Sequence, residues 1–425
     1  MIVTVVALVR RFIRHPLITG SSIVFIGSFL VSITNYIYNL LMGRFLTVQD
    51  YGLLTSLTSI LVLLGLFSNA FTNVFVKFSA SFKSQENEGG INLLKAYGIK
   101  SLRIFALCLL VLLVIASPFI QKFLHIDHIE YIFLIVSAVI FSLFLTLPLG
   151  ILQGRMQFLL LSAANISQPI IKIIVSVALL LLGFSVVSPL IAISVSTLIP
   201  LIILYYMLFS KKGRGINKDL DAGLFRKDFI HFSYTFFLAG VGIALLSNTD
   251  ILLVRVFFSD IVSGQYAALS LMGKAIFYLI MPINFAFFPL IAYKRERKER
   301  LFGTVLLAFL IVGSASILLS FIYFVFPSLV LGIFFPAPDY KVLKDYLGIY
   351  SIYIILFSFA TLFANFFLSI GKTDIYKISL FAAFVQIFAI ILFHKSLLEV
   401  ILCLLIVSLL FLLVLIGYYL KHGKD

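Results

Sequence analysis

The chain has 425 residues, of which 62% are hydrophobic and only 12% charged, with a mean hydropathy of +1.18 and a formal net charge of +15. A soluble globule carries roughly a quarter of its residues charged, so this composition excludes one and places the chain in a membrane. A closed barrel is excluded too, because runs such as LCLLVLLVIA lack the apolar/polar alternation of barrel strands, which leaves helices as the spanning elements.

Read in chain order, the opening MIVTVVALVRRFIRHP has its charges after its apolar part and no small-residue cleavage pattern. It reads as an interfacial lead-in and not as a signal peptide. A span needs about 20 apolar residues, and twelve such segments follow: 17–43, 51–76, 101–121, 131–152, 158–183, 189–209, 229–254, 262–289, 304–327, 346–370, 375–393 and 398–420. The fold class is therefore an all-α membrane protein with about twelve transmembrane helices.

Polar residues recur at helical spacing within several spans. The first carries Ser28, Ser32, Asn35 and Asn39, then ends in the charged turn GRFLTVQDYGLL with Arg44 and Asp50. The second aligns Thr58, Gly65, Asn69 and Asn73, and the fifth Asn165, Gln168, Lys172 and Ser176. The eighth aligns Ser263, Ser270, Lys274 and Tyr278, and the tenth Ser358, Thr361, Asn365 and Ser369. Amides and hydroxyls on such stripes suit sugar hydroxyls, and they suit close helix packing equally well.

Lys172 and Lys274 fall near mid-span, where a charge costs about 2.5 to 3.5 kcal/mol even on lenient scales. Two ammonium groups facing an aqueous cavity would bind a diphosphate; the alternative is a structural role against backbone carbonyls or Asp250. Asp250 is the one acid well inside a span, a candidate proton or cation site for coupling transport to a gradient, or else an ion-pair partner. Arg44 and Arg255 end the first and seventh spans and read either as gating or phosphate-binding groups or as headgroup anchors.

Most of the 32 Lys and Arg lie on alternate connections, with clusters at 10–14, 77–103, 211–227 and 294–300. The positive-inside rule puts these loops and both termini in the cytoplasm, and it accounts for the charge without nucleic acid. Cys108 and Cys403 fall inside spans, so neither a disulfide framework nor a metal site is expected.

The turn around Arg44 has a partner in DILLVRVFFSDIVSGQYAAL, with Arg44 matching Arg255 and Tyr51 matching Tyr266. LQGRMQF likewise matches SIGKTDIY, with Gly154 against Gly371. Offsets close to half the chain indicate two six-helix bundles in a parallel repeat: residues 1–210, a cytoplasmic linker at 211–228, and residues 229–425.

These motifs, GRFLTVQDYGLL, ILQGRMQF, DILLVRVFFSDIVSGQY and FFLSIGKTDIY, resemble those of the polysaccharide flippases of the multidrug/oligosaccharidyl-lipid/polysaccharide exporter superfamily, although Val48 stands where many members have Pro. The resemblance implies a transporter in the bacterial inner membrane that moves a polyprenyl-diphosphate-linked oligosaccharide to the outer leaflet by alternating access for surface polysaccharide biosynthesis. It also implies membrane lipids, a proton or sodium counter-ion and other polysaccharide-assembly proteins as partners, and no cofactor. The expected substrate contacts are Lys172, Lys274, Arg44, Arg255, Asn35, Asn39, Asn69, Asn165, Gln168 and Asn365, with Asp250 coupling the ion. A multidrug exporter of the same superfamily is the close rival. A membrane polymerase or ligase would be expected to carry a large polar outer loop, and the connection at 326–346 is mostly apolar.

Overall fold

The computed structural model describes residues 16–210, 222–276, 302–369 and 374–422. Six helices form the first bundle: α1 (Pro16–Phe45), α2 (Val48–Ser84), α3 (Glu88–Phe123), α4 (Glu130–Gly154), α5 (Phe158–Leu181) and α6 (Val187–Phe209). The second contains α7 (Ala222–Phe257), α8 (260–276 of the described residues), α9 (Phe302–Val325), α10 (Lys344–Ser369), α11 (Ile375–Leu392) and α12 (Leu397–His422). Among the described residues ten helices are long and apolar enough to span a bilayer; α9 and the short helix Pro327–Phe334 that follows it, bent by 98°, make an eleventh.

Packing repeats between the halves. The contacts α1/α5, α4/α6 and α3/α4 have counterparts in α7/α11, α10/α12 and α9/α10. On α4, Gly150 and Gly154 sit one turn apart; a Cβ on them would lie 2.4 Å from Phe75 Cβ and 2.6 Å from Ser79 Cβ, so α2 and α4 meet with almost no side chain between them. Small residues at this spacing replace the hydrophobic drive that lipid removes. Large apolar side chains instead cover the perimeter, where Leu181, Leu159 and Phe119 are 82%, 74% and 71% exposed.

Four helices of the first bundle end in the same way. After α2, α3, α4 and α5 the chain enters the left-handed region at Glu86, His125, Met156 and Gly183, and backbone N–H groups of the next residue reach back to Phe82, Gln121, Leu152 and Leu179. Each is a six-to-one closure that satisfies orphan carbonyls at a helix C-terminus.

Three boundaries differ from expectation. Residues 77–100, expected mainly as a basic loop, form a helical hairpin broken only at 85–87, because Asn87 caps α3 by accepting from Gly90 N at 2.8 Å and Lys, Gln and Glu are good helix formers. Helix α7 begins at Ala222, inside the expected linker, whose residues 211–221 lie outside the described set. The apolar connection at 326–346 is the short helix Pro327–Phe334 plus a 3₁₀ turn, Pro338–Leu343, both started by proline at a position where a missing N–H costs nothing. The basic positions at 10–14 and 294–300, and also Gly371 and Tyr278, fall outside the described residues.

Candidate functional site

A cavity of about 840 Å³ lies between the bundles, lined by α1, α2, α4, α5 and α6 on one side and by α7 and α8 on the other. It runs from Tyr51, Thr55 and Ala267, near the end of the molecule marked by Arg44 and Arg255, to Val24, Asn73 and Gln153 toward the end from which α1 starts and α12 finishes. These are called below the arginine end and the terminal end.

Of the expected site residues, Asn35, Asn39, Asn69, Asn165, Gln168, Lys172 and Lys274 line this cavity. The polar stripes of α1, α2 and α5 therefore converge on one space. Lys172 donates to Asn35 Oδ1 at 2.7 Å, and its ammonium sits 4.0 Å from the centroid of the Tyr38 ring. Asn35 can accept because its own amide NH₂ is turned back onto Val31 O at 3.0 Å, leaving the amide oxygen for the cation. Tyr38 is fully buried one turn along the same helix face, and its π-face supplies the second electrostatic contact.

Lys274 faces the same space in a different electrostatic setting. It lies within electrostatic reach of Asp250, whose carboxylate accepts from the Tyr266 hydroxyl at 2.6 Å. Tyr350 stands edge-on to Tyr266 with centroids 6.0 Å apart and to Tyr353 at 5.2 Å, so the acid is walled by phenol rings. Asp250 itself is 1% exposed, and its second oxygen has no hydrogen-bond partner.

Three expected substrate contacts lie elsewhere. Asn365 is half-buried on α10 and does not line the cavity; with Ser358 and Thr361, both buried, it marks a packing face, as small polar stripes in membranes often do. Arg44 and Arg255 are turned away from the cavity toward backbone carbonyls of the opposite bundle. Arg44 donates from Nε to Phe334 O at 3.1 Å and from Nη2 to Ile333 O. Arg255 donates to Leu124 O at 3.0 Å and His125 O at 3.1 Å and pairs with Asp260 at 2.8 Å. The parallel Arg44–Asp50 pair does not form: Asp50 accepts from Ser185 at 2.7 Å, and its own backbone N–H bonds the helix-capping Thr47 hydroxyl.

Residues not singled out in the sequence also belong to the site. Tyr38, Thr55, Gln153, Ser196 and Asn248 line the cavity; Tyr266, read in the sequence only as the repeat counterpart of Tyr51, orients the buried acid. Tyr38 lies one turn from Asn35, a spacing readable once Lys172 was suspected of needing a partner. Ser196 and Asn248 had no such signal, since nothing local tells which face of an apolar helix meets another bundle. Among the described residues no group of His, Cys, Asp and Glu is arranged to hold a metal, and both cysteines are free.

A family model described as polysaccharide biosynthesis protein matches residues 17–295. No curated protein matches the chain. Among solved structures it is similar to an inward-facing multidrug resistance MATE family transporter of the MOP superfamily, with a TM-score of 0.76 at 14% identity over 93% of this chain and 96% of that one. An outward-facing multidrug resistance MATE transporter gives 0.65 at 16% identity over 96% of each chain. A eukaryotic MATE transporter gives 0.66 at 17% identity over 95% of each.

Proposed function

The chain belongs to the polysaccharide biosynthesis protein family, within the multidrug/oligosaccharidyl-lipid/polysaccharide exporter superfamily, and from that premise we propose that it moves a polyprenyl-diphosphate-linked oligosaccharide from the cytoplasmic to the outer leaflet. The observation that carries this reading is the charge of the cavity: its lining includes Lys172 and Lys274 and not one Asp or Glu among the described residues. An anionic cargo is complementary to such a wall, whereas a cationic drug would meet like charge there. Amides from Asn39, Asn69, Asn165 and Gln168 supply the donors and acceptors that sugar hydroxyls require.

In this reading the diphosphate enters beside Lys172, exchanging the Asn35 amide oxygen for phosphate oxygens, which make stronger charge-assisted bonds. The polyprenyl tail stays in lipid while the glycan crosses in the cavity. Asp250 serves as the proton or sodium site, its charge balanced by Lys274, so that a change of its ionisation or occupancy alters the field felt by the second ammonium. The bias of the basic loops supports an orientation with the terminal end toward the cytoplasm of a bacterial cell and the arginine end outside. Assembly enzymes would deliver the glycan lipid from the cytoplasmic side.

The multidrug reading keeps one supporting observation, the buried Asp250 in its aromatic wall, which would suit a cation. The two are separated by reconstituting the chain in proteoliposomes and following lectin or glycosidase access to a polyprenyl-diphosphate oligosaccharide placed in the inner leaflet. Protein-dependent exposure of the glycan is expected. No exposure, together with protein-dependent efflux of a lipophilic cation, would overturn the proposal.

A further inference from the structure

The arginine end of the molecule is built around a reciprocal contact. Arg44, in the last turn of α1, reaches into the second bundle and donates to the carbonyls of Ile333 and Phe334, the last residues of the short helix Pro327–Phe334. Arg255, in the last turn of α7, reaches into the first bundle and donates to Leu124 and His125 at the end of α3. In the repeat α1 corresponds to α7, and α3 to α9 with its bent extension. Each arginine thus closes the C-terminus of the equivalent helix in the other bundle, where carbonyls have no intrahelical partner and the helix dipole is negative.

Between the two arginines the backbones touch. A Cβ on Gly52 of α2 would lie 2.6 Å from Gly264 N, and one on Gly264 of α8 would lie 1.8 Å from Val48 O. Gly52 and Gly264 thus form the point of closest backbone approach between α2 and α8. Phe335 fills the space beside it, packing against Tyr51 with ring centroids 6.1 Å apart, and the Tyr340 hydroxyl donates to Gly43 O at 3.4 Å. Arg255 is 3% exposed, so water does not compete for its bonds.

We infer that this assembly, a glycine hub flanked by two crossed arginine clasps, is the gate that seals the cavity at the arginine end, and that both clasps must release for that end to open. The inference rests on the alternating-access reading above but concerns only which contacts hold the seal. It gives Arg44 and Arg255 a role distinct from phosphate binding: their donors are spent on the opposite bundle while the cavity is closed on this side. The guanidinium fork is essential, because two neighbouring carbonyls are engaged at once, a geometry that a lysine ammonium does not reproduce. Asp260 holds Arg255 in place at 2.8 Å; among the described residues Arg44 has no acidic partner, and its exposed clasp is the weaker of the two.

The test uses a Cys108→Ala/Cys403→Ala background with one reporter cysteine, Thr55→Cys, which lines the cavity next to the hub. Full-length protein in proteoliposomes is labelled with a membrane-impermeant maleimide applied to the arginine end. Slow labelling is expected in the parent, and labelling faster by about tenfold or more in Arg44→Ala/Arg255→Ala, with smaller gains in each single variant and in the double Lys replacement. Gly264→Ala, whose added methyl cannot fit beneath Val48 O, is expected to label as fast as the double alanine variant. Unchanged labelling in the double variant, while Asn73→Cys near the terminal end still labels from its own side as in the parent, would overturn the inference. If the double variant does not fold, Gly264→Ala decides alone, and slow labelling there overturns it. A result in which the gate responds but no glycan lipid is exposed would keep the gate and remove the proposed cargo.

Discussion

At the arginine end the two bundles are alike, and in the middle of the membrane they are not. Arg44 and Arg255 make the same kind of crossed bond to backbone carbonyls, and Gly52 meets Gly264 between the bundles. Half a membrane away, Lys172 rests on Asn35 and a Tyr38 ring, whereas Lys274 lies within electrostatic reach of a buried acid that bonds Tyr266 beside Tyr350 and Tyr353. The contrast separates two tasks. Moving two bundles against each other needs matched surfaces, as the crossed bonds provide; the proposed handling of cargo and a coupling ion would need different chemistry on the two walls, as the cavity provides.

The comparison predicts where damage will be greatest. Lys172→Ala removes the cation best placed for phosphate, and loss of one charge-assisted bond of about 1.5 to 3 kcal/mol should lower glycan-lipid flipping by roughly 10- to 100-fold in the proteoliposome assay. Equal loss in an uncharged-cargo assay would show that Lys172 is structural. Lys274→Met, by contrast, leaves Asp250 buried without its countercharge and should cost about 3 to 5 kcal/mol of stability, with most of it restored in Asp250→Asn/Lys274→Met. Thermal unfolding of the four members of that cycle in detergent reads the coupling directly, and additive losses would mean the two groups do not interact.

Smaller effects test whether the seal and the intrabundle packing are separate. Gly150→Ala forces a methyl against Phe75 Cβ and should destabilise by about 1 to 3 kcal/mol without changing which end labels, unlike Gly264→Ala. Asn365→Ala, on a face away from the cavity, should shift stability by no more than about 0.5 kcal/mol and leave flipping within twofold of the parent. A large transport defect there would return α10 to the cargo path.

Much of this was legible in the sequence because lipid leaves few options. Twelve apolar segments and the paired Arg44 and Arg255 motifs specify two parallel bundles, and the stripes through Asn35 and Lys172 point at a shared cavity because helical spacing fixes which residues share a face. What could not be read was the reach of Arg44. Sequence offers Asp50 as its nearest countercharge, yet Asp50 is taken by Ser185 and the guanidinium caps carbonyls nearly three hundred residues away. Carbonyl acceptors carry no residue signature, so a contact made to backbone leaves no trace in side-chain pattern. Asn365 shows the opposite difficulty: it lies off this cavity, because a polar stripe gives a face, and only the neighbouring helices decide whether that face meets water or another helix.

The crossed clasps also set the hydration of the transport cycle. While the seal holds, Arg255 and the Leu124 carbonyl satisfy one another out of water, with the His125 bond partly covered. Parting them exposes the Arg255 guanidinium and the helix end it covers, which must gather solvent, and the crevice that opens fills as well; Arg44 is exposed already. Opening therefore takes up water, and a solute too large to enter should hold the gate shut in proportion to its osmotic pressure. Sucrose added at the arginine end ought to slow Thr55→Cys labelling in the parent and slow it far less once both arginines are gone.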